Sequence, residues 1–330
     1  MEAAGSKIIL ERLKEEWVEA AEASVYRELE LEKQRWMLFA LRDLKTTRLS
    51  SAEQTRTFQV YPPGATSVLS LFENRASFLS ALSSPITDVH HLCKTPLSPR
   101  SYPNVFPTTV PEYTTSLPYD SESFTSIHAF SLPTLFPASS IPQVLTECHR
   151  LLAPSPLSAA SPMPPLQPFT IRDRHSTLHL TIIDPSPIAA TAGPLLRAWL
   201  DKHLILNLEK QFRCIHPSRL FPMWLTDAGL RAEGSMIITV PFLASMNTQE
   251  AENLLLGHGP AKGGAVDRND IVKQELKSVV GRMLWKETWG PFVQARRWWW
   301  EDANIVEECE RMRTCWEYSV LDAVKGMSDT

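Results

Sequence analysis

The chain has 330 residues, 43% of them hydrophobic and 21% charged, which is the composition of a globular protein rather than a disordered one. A net charge of −4 leaves no basic surplus for non-specific nucleic-acid binding, and no apolar run reaches the length that crosses a bilayer. The N-terminus lacks a secretory segment and the five cysteines form no CxxC pair, so we expect an intracellular protein, cytoplasmic or nuclear, without disulfides or structural zinc.

Residues 6–45 are predicted to be helical, because apolar residues recur there at steps of three and four. Such an arm could contact a partner or cover a substrate, but apolar stripes more often pack on the core of their own protein. Apolar or alternating runs predict strands at 68–72, 86–91, 105–106, 123–130, 177–184 and 235–242. Helical patterns follow at 76–83, 141–152, 193–210, 217–230, 269–289 and 301–325.

Strands that alternate with helices between about residues 66 and 242 indicate a mostly parallel sheet with helices on both faces. Residues 153–176 are rich in proline and serine and are predicted to form an insertion, since proline removes backbone donors. The predicted parts are an N-terminal helical arm (1–49), an α/β core (50–245) and a loop with a C-terminal helical extension (246–330).

Several motifs within this pattern occur in a recognisable order. Leu117-Pro118-Tyr119 precedes the acidic turn Asp120–Glu122 and the strand start Ser123-Phe124-Thr125; a helix ending in His149-Arg150-Leu151-Leu152 and the strand LHLTIID then follow. In this order the pieces resemble a class I S-adenosylmethionine-dependent methyltransferase, of the branch found in secondary metabolism, over about residues 58–245. The resemblance implies a Rossmann-like methyltransferase sandwich with added N- and C-terminal helices, S-adenosyl-L-methionine as cofactor and a small-molecule substrate.

In that family the turn after the first strand is rich in glycine, which lets backbone amides approach the cofactor. The equivalent segment here is Ser70-Leu71-Phe72-Glu73-Asn74-Arg75-Ala76, and the chain has no glycine between Gly64 and Gly193. His90, with Asp88 nearby, takes the place of the acidic residue that binds the ribose at the end of the second strand. The resemblance therefore implies cofactor contacts at Ser70, Phe72, Glu73, Asn74, Ala76, His90 and Leu117.

Three functions remain open from these residues. A remodelled turn could still bind the cofactor and transfer methyl groups to a small molecule. The fold could instead have lost the cofactor, leaving a pseudo-methyltransferase that serves as a scaffold or regulatory partner, with a protein partner or a second copy bound through the terminal helices. The fold could also catalyse cofactor-free natural-product chemistry. The direction of Phe72 separates these hypotheses, because a ring pointing into the cofactor site would block it.

His128 is the candidate general base, since it is predicted to follow the fourth strand and a hydroxyl acceptor needs a base with a pKa near the working pH. A partly exposed histidine on a strand is the alternative. His175 and His179 lie four residues apart, but the spacing indicates no third ligand, so no metal site is predicted.

Three further motifs carry weaker signals. Asp184-Pro185-Ser186-Pro187 is similar to an (N/D)PPY motif but follows the fifth strand, where a strand-ending turn is expected. Residues 257–264 are predicted to be a flexible loop, because they lack the GK[ST] of a phosphate-binding loop. The run from Arg296 to Trp300 could pack within the domain or contact a partner or substrate.

Overall fold

The computed structural model describes residues 6–14, 23–46, 66–72, 87–130, 132–154, 176–245 and 268–326. Its strands are β1 (Thr66–Leu71), β2 (Thr87–Cys93), β3 (Val105–Thr109), β4 (Ser126–Ala129), β5 (Thr177–Ile183), β6 (Met236–Leu243) and β7 (Cys315–Val324). Its α-helices are α1 (Ser6–Lys14), α2 (Ala23–Thr46), α3 (Leu132–Leu135), α4 (Ile141–Leu151), α5 (Pro194–Leu200), α6 (Leu206–Lys210), α7 (Pro217–Asp227), α8 (Arg268–Trp289) and α9 (Ala303–Met312).

The seven strands form one sheet in the order β3-β2-β1-β4-β5-β7-β6. Each neighbouring pair from β3 to β5 is parallel. β7 is antiparallel to its neighbours. At one end of β7 the Lys325 amide donates to the Ser176 carbonyl, and at its other end the Ile188 amide donates to the Cys315 carbonyl. Residue numbers therefore rise along β7 in the direction in which they fall along its partner. A mostly parallel sheet with helices in this order is a Rossmann-like α/β sandwich, which confirms the predicted fold class.

The chain divides into two compact units, each built from three segments. The sheet unit comprises Phe58–Ile182, Pro217–Ile238 and Val320–Thr330. The tryptophan unit comprises Met1–Thr57, Ile183–His216 and Thr239–Ser319. The boundaries predicted at 49/50 and 245/246 stay predictions.

In the sheet unit, β1 is apolar because both of its faces are covered, and its side chains from Val68 to Leu71 are buried. The amphipathic helix α4 buries Val144, Leu145 and Cys148 at helical spacing. α4 also packs against α7.

In the tryptophan unit, α1 and α2 both pack against α8, and α1 buries Ile9, Leu10 and Leu13. The apolar stripe of the N-terminal arm therefore packs on a core of its own chain. The ring of Trp299 stacks on Trp316 at 5.5 Å between centroids, and Trp298 stacks on Trp300 at 4.8 Å. The three adjacent tryptophans thus make intramolecular contacts.

The first turn of α5 is fixed by a buried carboxylate. Both oxygens of Glu308 accept hydrogen bonds, from the amides of Leu195 and Leu196, each at 3.0 Å. A Cβ on Gly193 would overlap the Glu308 side chain, so a larger residue there would displace this carboxylate. The predicted helix 193–210 is formed as α5 and α6, joined by a π-helical turn at Asp201–Ile205.

The predicted helix at 301–325 is wrong in its second half. α9 ends at Met312, Arg313 adopts a left-handed conformation with φ 50°, and β7 follows. In β7 Trp316 and Tyr318 are buried while Glu317 between them is exposed, which is the two-residue alternation of a strand.

The predicted helix at 76–83, the interior of the proline-rich insertion and the loop 257–264 lie outside the described residues. No helix in the described ranges is long and apolar enough to cross a membrane. All five cysteines lie in the described ranges and are free thiols.

Candidate functional site

The turn after β1 begins at Phe72, which adopts a left-handed conformation with φ 61°. Its amide donates to the Leu92 carbonyl at 2.7 Å, and its side chain is only 5% exposed. A left-handed backbone costs a residue with a Cβ about 1 kcal/mol and suits glycine. The backbone thus retains the shape of a glycine turn while the residue carries a ring.

The Phe72 ring packs on two other rings of the sheet unit. Its centroid lies 4.9 Å from Tyr113 and 5.7 Å from Phe136. We call Phe72, Tyr113 and Phe136 the aromatic cluster. The Lys94 ammonium lies 4.6 Å from the centroid of Tyr113, and burial together with the neighbouring Cys93 raises the pKa of Tyr113. The space at the end of β1 is therefore filled by side chains.

Of the other residues expected to contact the cofactor at this turn, only Ser70 lies in the described part of the chain. Ser70 is fully buried and its hydroxyl has no hydrogen-bond partner in the described part of the chain. Register places Ser70 between His91 of β2 and His128 of β4, on one face of the sheet. Glu73, Asn74 and Ala76 lie outside the described residues, so their implied cofactor contacts stay predictions.

The sequence analysis expected His90 at the end of the second strand, and this position is wrong. β2 continues for three residues beyond His90, to Cys93. Lys94 comes next, so a basic residue follows this strand where the family has a carboxylate. His90 pairs with Leu69 in register and therefore faces the side of the sheet opposite to Ser70.

The His90 ring stacks on Phe106 at 5.4 Å and meets Phe124 and Tyr119 edge-on at 5.2 and 5.9 Å. Burial lowers the pKa of His90, although Asp88 opposes the shift. The ring lines a cavity of about 540 Å³ with these residues: Ser67, Leu117, Pro118, Tyr119, Asp120, Ser123 and Phe124. The structure thus brings His90 and Leu117 together, in a cavity that neither Ser70 nor Phe72 lines.

His128 lies within β4 rather than after it. Its Nε2 lies 3.1 Å from the Ser126 hydroxyl, and its ring stacks on His179 of β5 at 4.4 Å. The Nδ1 of His179 lies 2.8 Å from the Asp322 carboxylate on β7. Asp322 orients one imidazole and that imidazole packs on the next, which is an arrangement suited to holding or passing a proton.

Sequence reasoning missed two members of this group. His179 was paired only with His175, which lies outside the described residues. Asp322 fell in a segment predicted to be helical, although the strand alternation around Trp316 could have indicated it. Among the described residues no group of three or more metal-ligating side chains could hold a metal ion.

No protein-family model matches the chain, and no curated protein matches it. Among solved structures, one named as a methyltransferase from Bacillus halodurans is 12% identical over 84% of this chain and 98% of its own, with a TM-score of 0.41. One named as a sarcosine dimethylglycine methyltransferase from Galdieria sulphuraria is 12% identical over 91% and 88%, with a TM-score of 0.40. The [4+2]-cyclase SpnF is 14% identical over 90% and 83%, with a TM-score of 0.40. The strand order defines the fold class.

Two described features differ from those with which the family would hold S-adenosylmethionine. A ring occupies the end of β1, where a glycine would leave space, and a lysine follows β2 in place of a carboxylate.

Proposed function

We propose that the chain is a methyltransferase-like protein that acts on a small molecule, and that its methyl-donor site is closed by its own Phe72. The strand order supports the first half of this proposal. The packing of Phe72 against Tyr113 and Phe136 is the observation that carries the second half.

The energy needed to open the site sets the expected affinity. Moving the Phe72 ring into water loses two ring contacts of about 0.5–1.5 kcal/mol each and exposes a buried aromatic side chain at about 1.5–3 kcal/mol. A total of about 2.5–6 kcal/mol weakens donor binding about 10²–10⁴-fold. A donor site that would otherwise bind at about 1 µM would then bind at about 0.1–10 mM.

A second candidate is a protein that no longer transfers methyl groups, either a scaffold or regulatory partner or a fold used for cofactor-free natural-product chemistry. Lys94 after β2 favours it, because an ammonium repels the positive sulfonium. In the cofactor-free case His128 is the proposed acid–base residue, supported by its contacts with Ser126 and His179. Binding of a partner or second copy through the terminal helices, a place in secondary metabolism and an intracellular location stay proposals.

Calorimetric titration of the full chain with S-adenosylhomocysteine tests whether the donor site is closed. The closed site predicts a dissociation constant weaker than about 0.1 mM. A value below about 10 µM would mean that Phe72 does not close the site, and ordinary donor binding would replace this proposal. Transfer of a labelled methyl group to a small molecule at millimolar donor would rule out the second candidate.

A further inference from the structure

The tryptophan unit contains a cavity of about 760 Å³ that the proposed function does not use. Trp199 and His203 line one part of it, and the segment 293–297 lines the rest. The volume lies in the range of small-molecule pockets, about 300–1,000 Å³. We call this the Trp199 cavity.

The walls of the Trp199 cavity are tied to each other. His203 lies in the π-helical turn, where the Leu206 amide donates to the Asp201 carbonyl five residues earlier. The Gln294 amide donates to the His203 carbonyl at 2.9 Å, and Asn207 Nδ2 donates to the carbonyls of His203 and Phe292 at 2.9 and 3.2 Å. π-Helical turns occur often at functional sites, and these bonds hold the cavity in shape before any ligand arrives.

One nitrogen of the His203 imidazole already forms a hydrogen bond within the protein. Its Nδ1 lies 2.7 Å from the Gln294 carbonyl oxygen, which can only accept, so Nδ1 carries the hydrogen. Nε2 is left to meet a ligand. The Trp199 ring lies 5.3 Å from the imidazole at a 45° tilt, and together the two rings form an aromatic wall.

The charge of the cavity is positive. Arg296 and Arg297 both line it and are both exposed. Neither guanidinium forms an ion pair or hydrogen bond among the described residues, and neither lies over a ring there. A guanidinium binds a carboxylate through two parallel hydrogen bonds, and Trp199, Val293 and Ala295 offer apolar surface to the remainder of a ligand.

We propose that the Trp199 cavity binds an aromatic carboxylate, with the ring against Trp199 and the carboxylate between Arg296 and Arg297. A flat ring matches the aromatic wall, and a single negative charge matches two guanidinium groups that have no partner among the described residues. The proposal is independent of the donor site, because all of these residues belong to the tryptophan unit.

The test is calorimetry on the full chain with 2-naphthoate, 2-naphthalenemethanol and 2-naphthyl phosphate as probes. We expect 2-naphthoate to bind at least about tenfold more tightly than the uncharged alcohol, and to weaken as salt is added. The double variant Arg296→Met/Arg297→Met should lose at least about tenfold in naphthoate affinity. Trp199→Leu should weaken both naphthoate and the alcohol.

Arg311→Met is the matched control, since Arg311 is an exposed arginine on α9 that does not line the cavity. It should bind naphthoate like the wild type. Equal affinity for naphthoate and the alcohol, no binding at about 5 mM, or an unchanged double variant with wild-type circular dichroism would overturn the proposal. Tighter binding of the naphthyl phosphate by more than about tenfold would overturn the carboxylate assignment.

Discussion

The end of β1 and the Trp199 cavity both place aromatic rings beside basic side chains, but only the cavity leaves room for a ligand. In the first region three rings pack together and Lys94 lies over one of them. In the second, two rings line an open volume and two arginines have no ion pair among the described residues. The fold class leads one to expect a binding site at the end of β1, but it gives no expectation for the Trp199 cavity. Binding chemistry therefore has to be argued from the side chains at each place rather than from the fold.

Replacing each of two phenylalanines with left-handed backbone, Phe72 and Phe212, by glycine tests whether the Phe72 ring fills the space at the end of β1. Phe72→Gly should destabilise the protein by about 2–4 kcal/mol, because losing a buried ring outweighs relief of the backbone strain. Phe212 also has a positive φ, of 54°, but is 77% exposed. Phe212→Gly should therefore be neutral or stabilise by up to about 1 kcal/mol.

Urea unfolding of both variants beside the wild type measures this difference. If Phe72→Gly proved as mild as Phe212→Gly, the Phe72 ring would contribute little packing, and the contrast between the two regions would disappear.

A smaller effect of pH is expected at the cavity beside His90. Because burial lowers the pKa of His90 in the folded chain, the unfolded chain takes up the proton first as the pH falls. The contribution of neutral His90 to stability is thus present above the unfolded pKa of about 6.5 and is lost as the pH falls below it. His90→Phe should make the melting temperature fall less steeply between about pH 6.5 and 5.

Melting curves of wild type and His90→Phe across this range provide the measurement. The reference is pH 8, where His90 is neutral in both the folded and the unfolded chain. An equally steep fall in the variant would assign the acid sensitivity to another group, such as His149, whose pKa burial also lowers.

Most of the sheet could be predicted from the sequence, because buried parallel strands are short apolar runs with clear ends. The segments TSVLSL and TLHLTII formed β1 and β5 as expected. β7 could not be found this way, since apolar residues continue at helical spacing from Ile305 through Cys309 and Met312 to Trp316. The helix ends at Arg313 without a glycine or proline to mark it.

The sequence directed attention to the turn after β1 but did not indicate the side chains that pack against it. The sequence singled out Phe72 as the residue whose direction separates the hypotheses on donor binding. Its partners Tyr113 and Phe136 lie more than forty residues further along the chain, and no local pattern links them. His90 was placed three residues too close to the strand end, because strand boundaries leave little trace in composition. The pairing of His179 with Asp322 required β7 to be a strand.

Opening the turn by mutation tests most directly the claim that Phe72 closes the donor site. Wild type, Phe72→Gly and Phe212→Gly would be titrated with S-adenosylhomocysteine under the same conditions. We predict that Phe72→Gly binds at least about 100-fold more tightly than the wild type, and that Phe212→Gly does not differ from it. Equal affinities for wild type and a folded Phe72→Gly variant would contradict the account.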